Sequence, residues 1–286
     1  MKTTRRDFLK QGGAAFGSVL LSPLTFAMDG SRGKMLKSYG FQSWTIKEAL
    51  NEDPAGTCKK MAGLGYQEIE MCSPLGYSNS GFEPLNKYSG TELRKIIEDQ
   101  GLKCTSSHFN LGELRDSLDD RIGWAHQMGM KQMILSSFWL PKEEQTVANY
   151  RKSAAELNRI AEKTKSAGLQ MGFHNHHMEF EKRGDQLIYD ALLEECDPDL
   201  VKMQFQVAVV NIGYHAAEYF RKHPGRFISA HLADWSKAKE TQVPIGQGVV
   251  DWQDFCEAAK IGGVKNVYVE MSPETFKDSA EFLSML

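Results

Sequence analysis

The nine residues LQMGFHNHH at positions 169–177 decide the fold of this chain. A helical pattern over 143–167 ends at Gly168 just before them, and they begin as a short apolar run typical of a buried strand. Alternate side chains of a strand share one face, so His174 and His176 are predicted to point the same way. Two imidazoles at the end of a strand indicate a metal site or proton-transfer chemistry. A pair of hydrogen-bonded or exposed histidines is the alternative.

The same succession of strand and helix recurs eight times between residues 35 and 286. The predicted strands are 37–42, 67–71, 103–108, 132–136, 169–174, 201–207, 227–232 and 267–270. The predicted helices with clear bounds are 53–64, 90–100, 116–128, 143–167 and 275–285. The glycines predicted to end helices are Gly65, Gly101, Gly129, Gly168 and Gly263.

Eight strand–helix units in about 250 residues match the size and pattern of a (β/α)8 barrel, or TIM barrel. The alternative is a doubly wound open sheet, which usually has a glycine-rich turn after its first strand. This chain instead has QSWTI at 42–46, directly after its first predicted strand. The sequence therefore predicts a single α/β domain, a (β/α)8 barrel, over residues 28–286.

An export signal is predicted over residues 1–27. Residues 3–10 read TTRRDFLK, which resembles the twin-arginine export pattern, and the TFA at 25–27 resembles a small-residue cleavage site. The apolar stretch 12–27 is too short and too rich in glycine to make a good membrane-spanning helix. We expect a periplasmic protein that crosses the membrane folded and has no stable membrane insertion after signal removal. An uncleaved anchor or a fortuitous pair of arginines is the alternative.

The charge and the cysteines exclude some classes of protein. Four basic residues and one acidic residue lie within 1–27, so the net charge changes from −3 for the whole chain to −6 without that segment. This moderate acidity argues against nonspecific nucleic-acid binding. The five cysteines are scattered without a C-x-x-C pair, so we expect no disulfide framework. They are Cys58, Cys72, Cys104, Cys196 and Cys256.

Polar side chains follow six of the eight predicted strands at the point where each strand ends. They are Glu70, His108, His174, Gln206, His231 and Glu270. In a (β/α)8 barrel these ends meet at one rim, where active sites are built. A buried charge needs a partner or a metal, so packing alone does not favour this set. Each residue also has an ordinary structural explanation, such as helix capping for Glu70 or a satisfied core histidine for His108.

Four motifs resemble the xylose isomerase-like sugar isomerase/epimerase superfamily of (β/α)8 enzymes. They are FHNH at 173–176, HLAD at 231–234, VE at 269–270 and PIGQGVVDW at 244–252. The resemblance implies a divalent ion, commonly manganese, with magnesium, cobalt or zinc also open. By position, its ligands are His174, Gln206, His231 and Glu270. Many relatives have Glu at the position of His174, and most have Asp at that of Gln206, so a carboxylate is exchanged for a neutral donor at each.

The resemblance implies metal-assisted proton transfer at a carbon next to a sugar carbonyl. Isomerases and epimerases of the superfamily use two metal-linked glutamates, of which only Glu270 is present, so one-base or imidazole-assisted chemistry fits better. Glu270 or His176 is expected to take the proton, with His108 and Glu70 protonating or orienting the substrate. The candidate substrate-binding residues are Trp44, Phe138, Trp139, Glu179 and Asp234, although packing is an alternative for each aromatic residue and capping is one for Asp234.

Three other outcomes remain open at this point. The same first step supports β-elimination from a 3-keto glycoside, with release of the aglycone. A non-catalytic sugar-binding protein on an enzyme fold is a second alternative, and a DNA-repair nuclease would need more metal ligands and a basic groove. The expected partner is an unphosphorylated small-molecule sugar or keto-glycoside. A homo-oligomer is open because related barrels are often dimers or tetramers.

Overall fold

Eight parallel strands close into a barrel in a computed structural model that describes residues 35–286. The strands are β1 Gly40–Gln42, β2 Glu68–Cys72, β3 Lys103–Phe109, β4 Gln132–Leu135, β5 Gln170–His174, β6 Val201–Gln206, β7 Phe227–Leu232 and β8 Asn266–Val269. Each strand pairs with its neighbours in chain order, and β8 pairs with β1 to close the sheet. The predicted (β/α)8 barrel is confirmed. The predicted export signal over 1–27 lies outside the described residues.

Helices connect the strands and cover the outside of the barrel. They are α1 Lys47–Glu52, α2 Pro54–Gly63, α3 Gly90–Glu98, α4 Leu111–Asp116, α5 Leu118–Met128, α6 Val147–Ser166, α7 Ile188–Glu195, α8 Ala216–Lys222, α9 Trp252–Gly262 and α10 Phe276–Leu283. The sequence did not give bounds for α7 and α8. It also did not predict two short antiparallel strand pairs, Lys182–Arg183 with Gln186–Leu187 and Asp234–Ser236 with Thr241–Val243.

The longest helix, α6, shows why these segments fold as they do. The Thr146 side chain accepts a hydrogen bond from the Asn149 amide and so caps the first turn. Tyr150, Ala154 and Leu157 recur at helical spacing and are buried against the barrel. After the helix the chain turns at Gly168, whose φ of 79° is a left-handed conformation that glycine adopts without strain. All five glycines predicted to end helices have a positive φ.

The register of the strands brings particular side chains to the same height in the barrel. His174 on β5 pairs with Gln204 on β6, and Gln206 pairs with His231 on β7. Because inward side chains alternate along each strand, the polar residues near the strand ends lie in adjacent layers at the C-terminal mouth. Among residues 35–286, no helix combines the length and the apolar character needed to cross a bilayer.

Candidate active site

Three buried histidines form the centre of the C-terminal mouth. The rings of His108 and His231 are stacked with centroids 5.0 Å apart, and His174 lies 4.9 Å from His108 and 4.4 Å from His231. One nitrogen from each ring lies within 4.8 Å of the others. The sequence placed His174 and His231 in a metal site and gave His108 a proton-transfer role. The structure brings all three imidazoles into one cluster.

His231 lies between two carboxylates. Its Nδ1 is 3.0 Å from Glu270 Oε2, and its Nε2 is hydrogen bonded to Glu70 Oε2. Burial lowers the pKa of His231, but the charges and hydrogen bonds of Glu270 and Glu70 outweigh this and raise the pKa to about 9. Burial likewise raises the pKa of Glu270, but His231 outweighs it and lowers the pKa to about 2. Glu270 is therefore an ionised carboxylate at neutral pH.

Glu70 lies beneath the histidines and does not border the open cavity at the mouth. Its Oε1 accepts hydrogen bonds from Ser106 Oγ at 2.6 Å and from Gln204 Nε2 at 2.8 Å, while Oε2 faces His231. The role of Glu70 in protonating or orienting the substrate stays a prediction, and in this structure its carboxylate contacts only side chains of the protein. Both oxygens are occupied by buried donors, so Glu70 fixes the positions of Ser106, Gln204 and His231.

Gln204 is a site residue that sequence reasoning missed. It occupies the same face of β6 as Gln206, two residues earlier, and this alternation was the signal that could have identified it. Its amide nitrogen donates to Glu70 Oε1 and to Ser229 Oγ, and its amide oxygen accepts from His108 Nε2 at 2.7 Å. An ionised carboxylate only accepts hydrogen bonds, so Glu70 fixes the orientation of the Gln204 amide.

Gln206 lies at the predicted rim, and both polar atoms of its amide are hydrogen bonded within the protein. Its nitrogen donates to Glu270 Oε2 at 2.6 Å, and its oxygen accepts from the Ala208 backbone amide at 3.2 Å. The oxygen is the atom of a glutamine that binds a metal, and here it caps the turn that follows β6. In this arrangement Gln206 holds Glu270, and its role as a metal ligand stays a prediction.

An open cavity of about 250 Å³ lies above the histidines. It is lined by Trp44, Cys72, Tyr77, His108, Ser136, Trp139, His174, His176 and Glu270. Trp139 is 58% exposed and offers an apolar face at the edge of the cavity. Trp44 is 38% exposed, but Lys47 Nζ lies 4.2 Å from its ring centroid and Phe82 stacks with it, so Trp44 offers mainly its edge. Among the lining residues in the described part of the chain, Glu270 is the one carboxylate. Tyr77 was not singled out in the sequence, and its hydroxyl is bonded to Ser136 inside the cavity.

His176 reaches the cavity although β5 ends two residues before it. Its ring is edge-on to His174 at 4.8 Å and lies 5.3 Å from the indole of Trp139. Burial lowers the pKa of His176 to about 4, so the ring is neutral at pH 7. Its backbone amide donates to Glu179 Oε2 at 2.7 Å, and this contact fixes the turn that carries the ring.

Three residues expected to bind substrate lie behind the cavity. Phe138 is buried and stacks on Phe173 at 4.9 Å, so it packs the barrel wall. Glu179 is fully buried, burial raises its pKa to about 7, and it holds the backbone of His176. Asp234 accepts hydrogen bonds from the Trp252 indole and from four backbone amides. Asp234 is thus occupied by the protein itself, whereas Glu179 Oε1 is buried without a hydrogen-bond partner. Substrate binding by these three residues stays a prediction.

The contacts of Asp234 explain the glycines of the 244–252 loop. Gly246 and Gly248 both donate their amides to Asp234 Oδ2, at 3.0 and 3.1 Å. A Cβ on Gly248 would lie 2.0 Å from Asp234 Oδ1, so only glycine permits this approach. The loop ends at Asp251, whose side chain accepts from the Asp254 amide and caps α9 as predicted.

The xylose isomerase-like TIM barrel family model matches residues 58–285. A sugar phosphate isomerase/epimerase from Parabacteroides distasonis is 22% identical, covers 91% of this chain and 97% of its own, and superposes with a TM-score of 0.70. A xylose isomerase-like TIM barrel protein from Mycobacterium smegmatis, solved in complex with magnesium, is 15% identical over 89% of this chain and 98% of its own, with a TM-score of 0.61.

A D-psicose 3-epimerase solved in the presence of D-fructose is also similar in fold. It is 15% identical, covers 87% of this chain and 97% of its own, and has a TM-score of 0.61. No curated protein sequence matches the chain. At these identities the solved structures establish a shared fold.

Proposed function

The chain belongs to the xylose isomerase-like TIM barrel family, and from this membership and its site we propose that it catalyses metal-assisted proton transfer on a sugar. The proton is removed from a carbon next to the sugar's carbonyl group, with an isomerase- or epimerase-type outcome. One observation carries the proposal. A single cavity at the barrel mouth combines the ionised carboxylate of Glu270, the neutral ring of His176 and the partly exposed indoles of Trp44 and Trp139.

The described residues fit a divalent cation. His174 Nδ1 is buried without a hydrogen-bond partner, and His231 Nδ1 and Glu270 Oε2 lie 3.0 Å apart, where a cation would replace the proton between them. Imidazole and carboxylate are ordinary ligands of divalent first-row metals, so these three residues would hold the ion. When bound, the ion supplies a Lewis acid that polarises the sugar oxygen and acidifies the neighbouring C–H bond. Manganese is the ion that the resemblance implies, and magnesium, cobalt and zinc are the other candidates.

The remaining chemistry belongs to side chains that border the cavity. Glu270 or His176 accepts the proton, since both are unprotonated at neutral pH and both face the space where a sugar would lie. His108, also in the lining, is a neutral imidazole because burial lowers its pKa, and it orients a hydroxyl or carbonyl oxygen. The indole face of Trp139 packs against the apolar C–H face of the sugar ring, and Trp44 contacts the sugar with its exposed edge.

A second outcome, β-elimination from a 3-keto glycoside, is supported by the single carboxylate in the lining. Without a second carboxylate, the proton removed by one base is not easily returned from the opposite face of the substrate. In elimination the C–H bond breaks, a C=C bond forms, and the glycosidic C–O bond breaks to release the aglycone, which takes up a proton. One base and a polarised carbonyl are sufficient for this step.

An unphosphorylated sugar met outside the cytoplasm is part of the same proposal. The lining offers aromatic rings, imidazoles and hydroxyls, which suit a neutral sugar. Export through the twin-arginine route rests on residues 3–27, which are outside the described part of the chain. That route carries folded proteins, so a metal chosen in the cytoplasm would be retained in the periplasm.

The experiment is NMR of the purified protein with Mn²⁺ in D₂O, using a 3-keto glucoside and, separately, a free ketose. Deuterium at the carbon next to the carbonyl, with a rearranged sugar and an intact glycosidic bond, supports the isomerase or epimerase. Release of the aglycone supports the lyase. If neither occurs and calorimetry shows the same sugar affinity with and without metal, the protein is a sugar-binding module and the proposal is wrong.

A further inference from the structure

We infer that the metal centre of this chain consists of three histidines and one carboxylate: His108, His174, His231 and Glu270. The inference rests on the proposed function in that it concerns the same site. It makes His108 a ligand in place of the substrate-orienting role given above, removes Gln206 from the ligands, and gives Glu70 and Gln204 the role of orienting partners. A centre with three imidazole nitrogens takes a late first-row ion such as Co²⁺ or Zn²⁺ in preference to Mg²⁺ or Mn²⁺.

The hydrogen bonds of His108 determine which of its nitrogens is free. Glu70 turns the amide nitrogen of Gln204 toward itself, so the Gln204 oxygen faces His108 Nε2 at 2.7 Å. Nε2 also lies 3.3 Å from Glu70 Oε2, and both neighbours accept hydrogen bonds. His108 therefore carries its proton on Nε2, and the lone pair of Nδ1 is available on the other side of the ring.

Glu70 orients a second ring in the same way. The Nε2 atoms of both His108 and His231 approach Glu70 Oε2, so the Nδ1 atoms of both rings lie on their far sides. Metal-binding histidines nearly always donate their other ring N–H to a carboxylate or carbonyl oxygen, which fixes the tautomer and the ring orientation. A fully buried carboxylate shared by two stacked imidazoles is this kind of partner.

His174 supplies the third nitrogen. Its ring is 1% exposed and its Nδ1 has no hydrogen-bond partner, although the rings of His108 and His231 lie beside it. A buried polar atom without a partner is costly, and a bound cation removes this cost. Glu270, 3.0 Å from His231 Nδ1, places an anionic oxygen at the same point of the site.

Gln206 does not complete such a centre, because its oxygen is held by the Ala208 amide and its nitrogen is bonded to Glu270. The resemblance to the family places a ligand at this position, and the structure instead offers the His108 ring from the opposite side of the barrel. The change replaces an oxygen donor with a nitrogen donor. Imidazole favours zinc, cobalt or nickel, whereas carboxylate, carbonyl and water oxygens favour magnesium and manganese.

The first test counts imidazole ligands in the untagged full-length protein loaded with Co²⁺, by X-ray absorption spectroscopy. The wild type is expected to show three imidazoles, and His108→Ala two. His176→Ala is the matched control, because His176 lies in the same cavity outside the three-ring cluster, and it is expected to keep three. Two imidazoles in the wild type, or the same count in wild type and His108→Ala, would overturn the inference without reference to any variant's activity.

The second test measures affinity by calorimetry with Co²⁺, Mn²⁺ and Mg²⁺ alone. Co²⁺ should bind at least about tenfold more tightly than Mn²⁺, as expected for nitrogen-rich sites. Glu70→Gln should weaken Co²⁺ binding by roughly 10–100-fold, the usual cost of losing an orienting partner. Circular dichroism confirms that each variant is folded. Equal affinity of wild type and Glu70→Gln, or tighter binding of Mn²⁺ than of Co²⁺, contradicts the assignment.

Failure of this inference and failure of the proposed function give different results. Three imidazoles around Co²⁺ with no deuterium exchange and no aglycone release would support the inferred metal centre and contradict the proposed sugar chemistry. Deuterium exchange on a ketose with only two imidazoles at the metal would support the proposed sugar chemistry and contradict the inferred metal centre. Gln206 would then again be a candidate ligand.

Discussion

His231 Nδ1 and Glu270 Oε2 lie 3.0 Å apart, although the two residues are 39 positions apart in the chain. His231 pairs in register with Tyr268 on the neighbouring strand, so Glu270 lies two residues nearer the barrel mouth. Tyr268 and Glu270 are two residues apart and therefore share a face, and the ring of Tyr268 meets His231 edge-on. The side chains of His231 and Glu270 therefore both point into the barrel. The one carboxylate that borders the cavity in the described residues is thereby held against the histidine cluster, where we propose that the metal and the sugar lie.

Replacing His174 with alanine should lower the affinity for a divalent metal by at least about tenfold, because it removes a buried nitrogen with no other partner. Metal content after dialysis, measured by inductively coupled plasma mass spectrometry, checks this. His177→Ala is the control, since the exposed His177 ring is bonded to Asn211 outside the cluster. Metal content equal to that of the wild type would remove His174 from the ligand set.

Replacing Glu270 with glutamine should slow deuterium exchange on a ketose by about 10²–10⁴-fold, because the amide cannot accept the proton. Exchange rates are read from the loss of the C–H signal in proton NMR at saturating metal. Glu274→Gln changes an exposed glutamate four residues later and should exchange at the wild-type rate. If Glu270→Gln retains full activity, His176 is the base, and His176→Ala should then show the loss.

Trp139 has a φ of 47°, a left-handed conformation that a bulky residue rarely adopts, and its indole lies over His176. Trp139→Gly and Trp139→Ala both remove the ring, but only glycine relieves the backbone strain, so the glycine variant should be more stable by about 1 kcal/mol. Urea unfolding measures this difference. Both variants should raise KM for the sugar about three- to tenfold through loss of stacking. Equal stability of the two variants would show that the strain is not borne at this residue.

The stability of the protein should depend on the ionisation of Glu113. Burial raises the pKa of this carboxyl to about 7, against opposing hydrogen bonds from Ser73 and Asn110. The folded state binds the carboxyl proton of Glu113 more tightly than the unfolded state does. The resulting contribution to the free energy of unfolding is fully present below about pH 4.5 and is lost as the pH rises through 7. Glu113→Gln should therefore stabilise the protein relative to the wild type at pH 8, on the order of 3 kcal/mol, and by much less at pH 5.

Urea unfolding of both proteins from pH 5 to pH 8 checks this dependence on Glu113. The matched control is Glu92→Gln, because Glu92 holds the same third position of an exposed capping box, and its pKa is lowered by the amide and hydroxyl of Ser89. That variant should show no gain in stability at pH 8. A pH-independent difference between wild type and Glu113→Gln would show that this carboxyl is already ionised at pH 5.

Much of the barrel could be predicted from local pattern. Strand β7 has the predicted bounds, and α6 lies within the predicted helix, because apolar periodicity and helix-ending glycines are local properties of the chain. The short helices α7 and α8 and the two small strand pairs were missed. They lie in connections where the sequence has little periodicity, and their form depends on packing against the barrel.

By itself, the sequence determined the eight-stranded (β/α)8 fold and the strand ends at which the ionisable residues lie. Only the tertiary structure decided their contacts. Register and ring orientation joined His108 to His174 and His231, and fixed the Gln204 amide between Glu70 and His108. They also committed Gln206 and Asp234 to contacts within the protein. The physical reason is that a hydrogen bond depends on distances of a few tenths of an ångström between residues far apart in the chain, which no local pattern encodes.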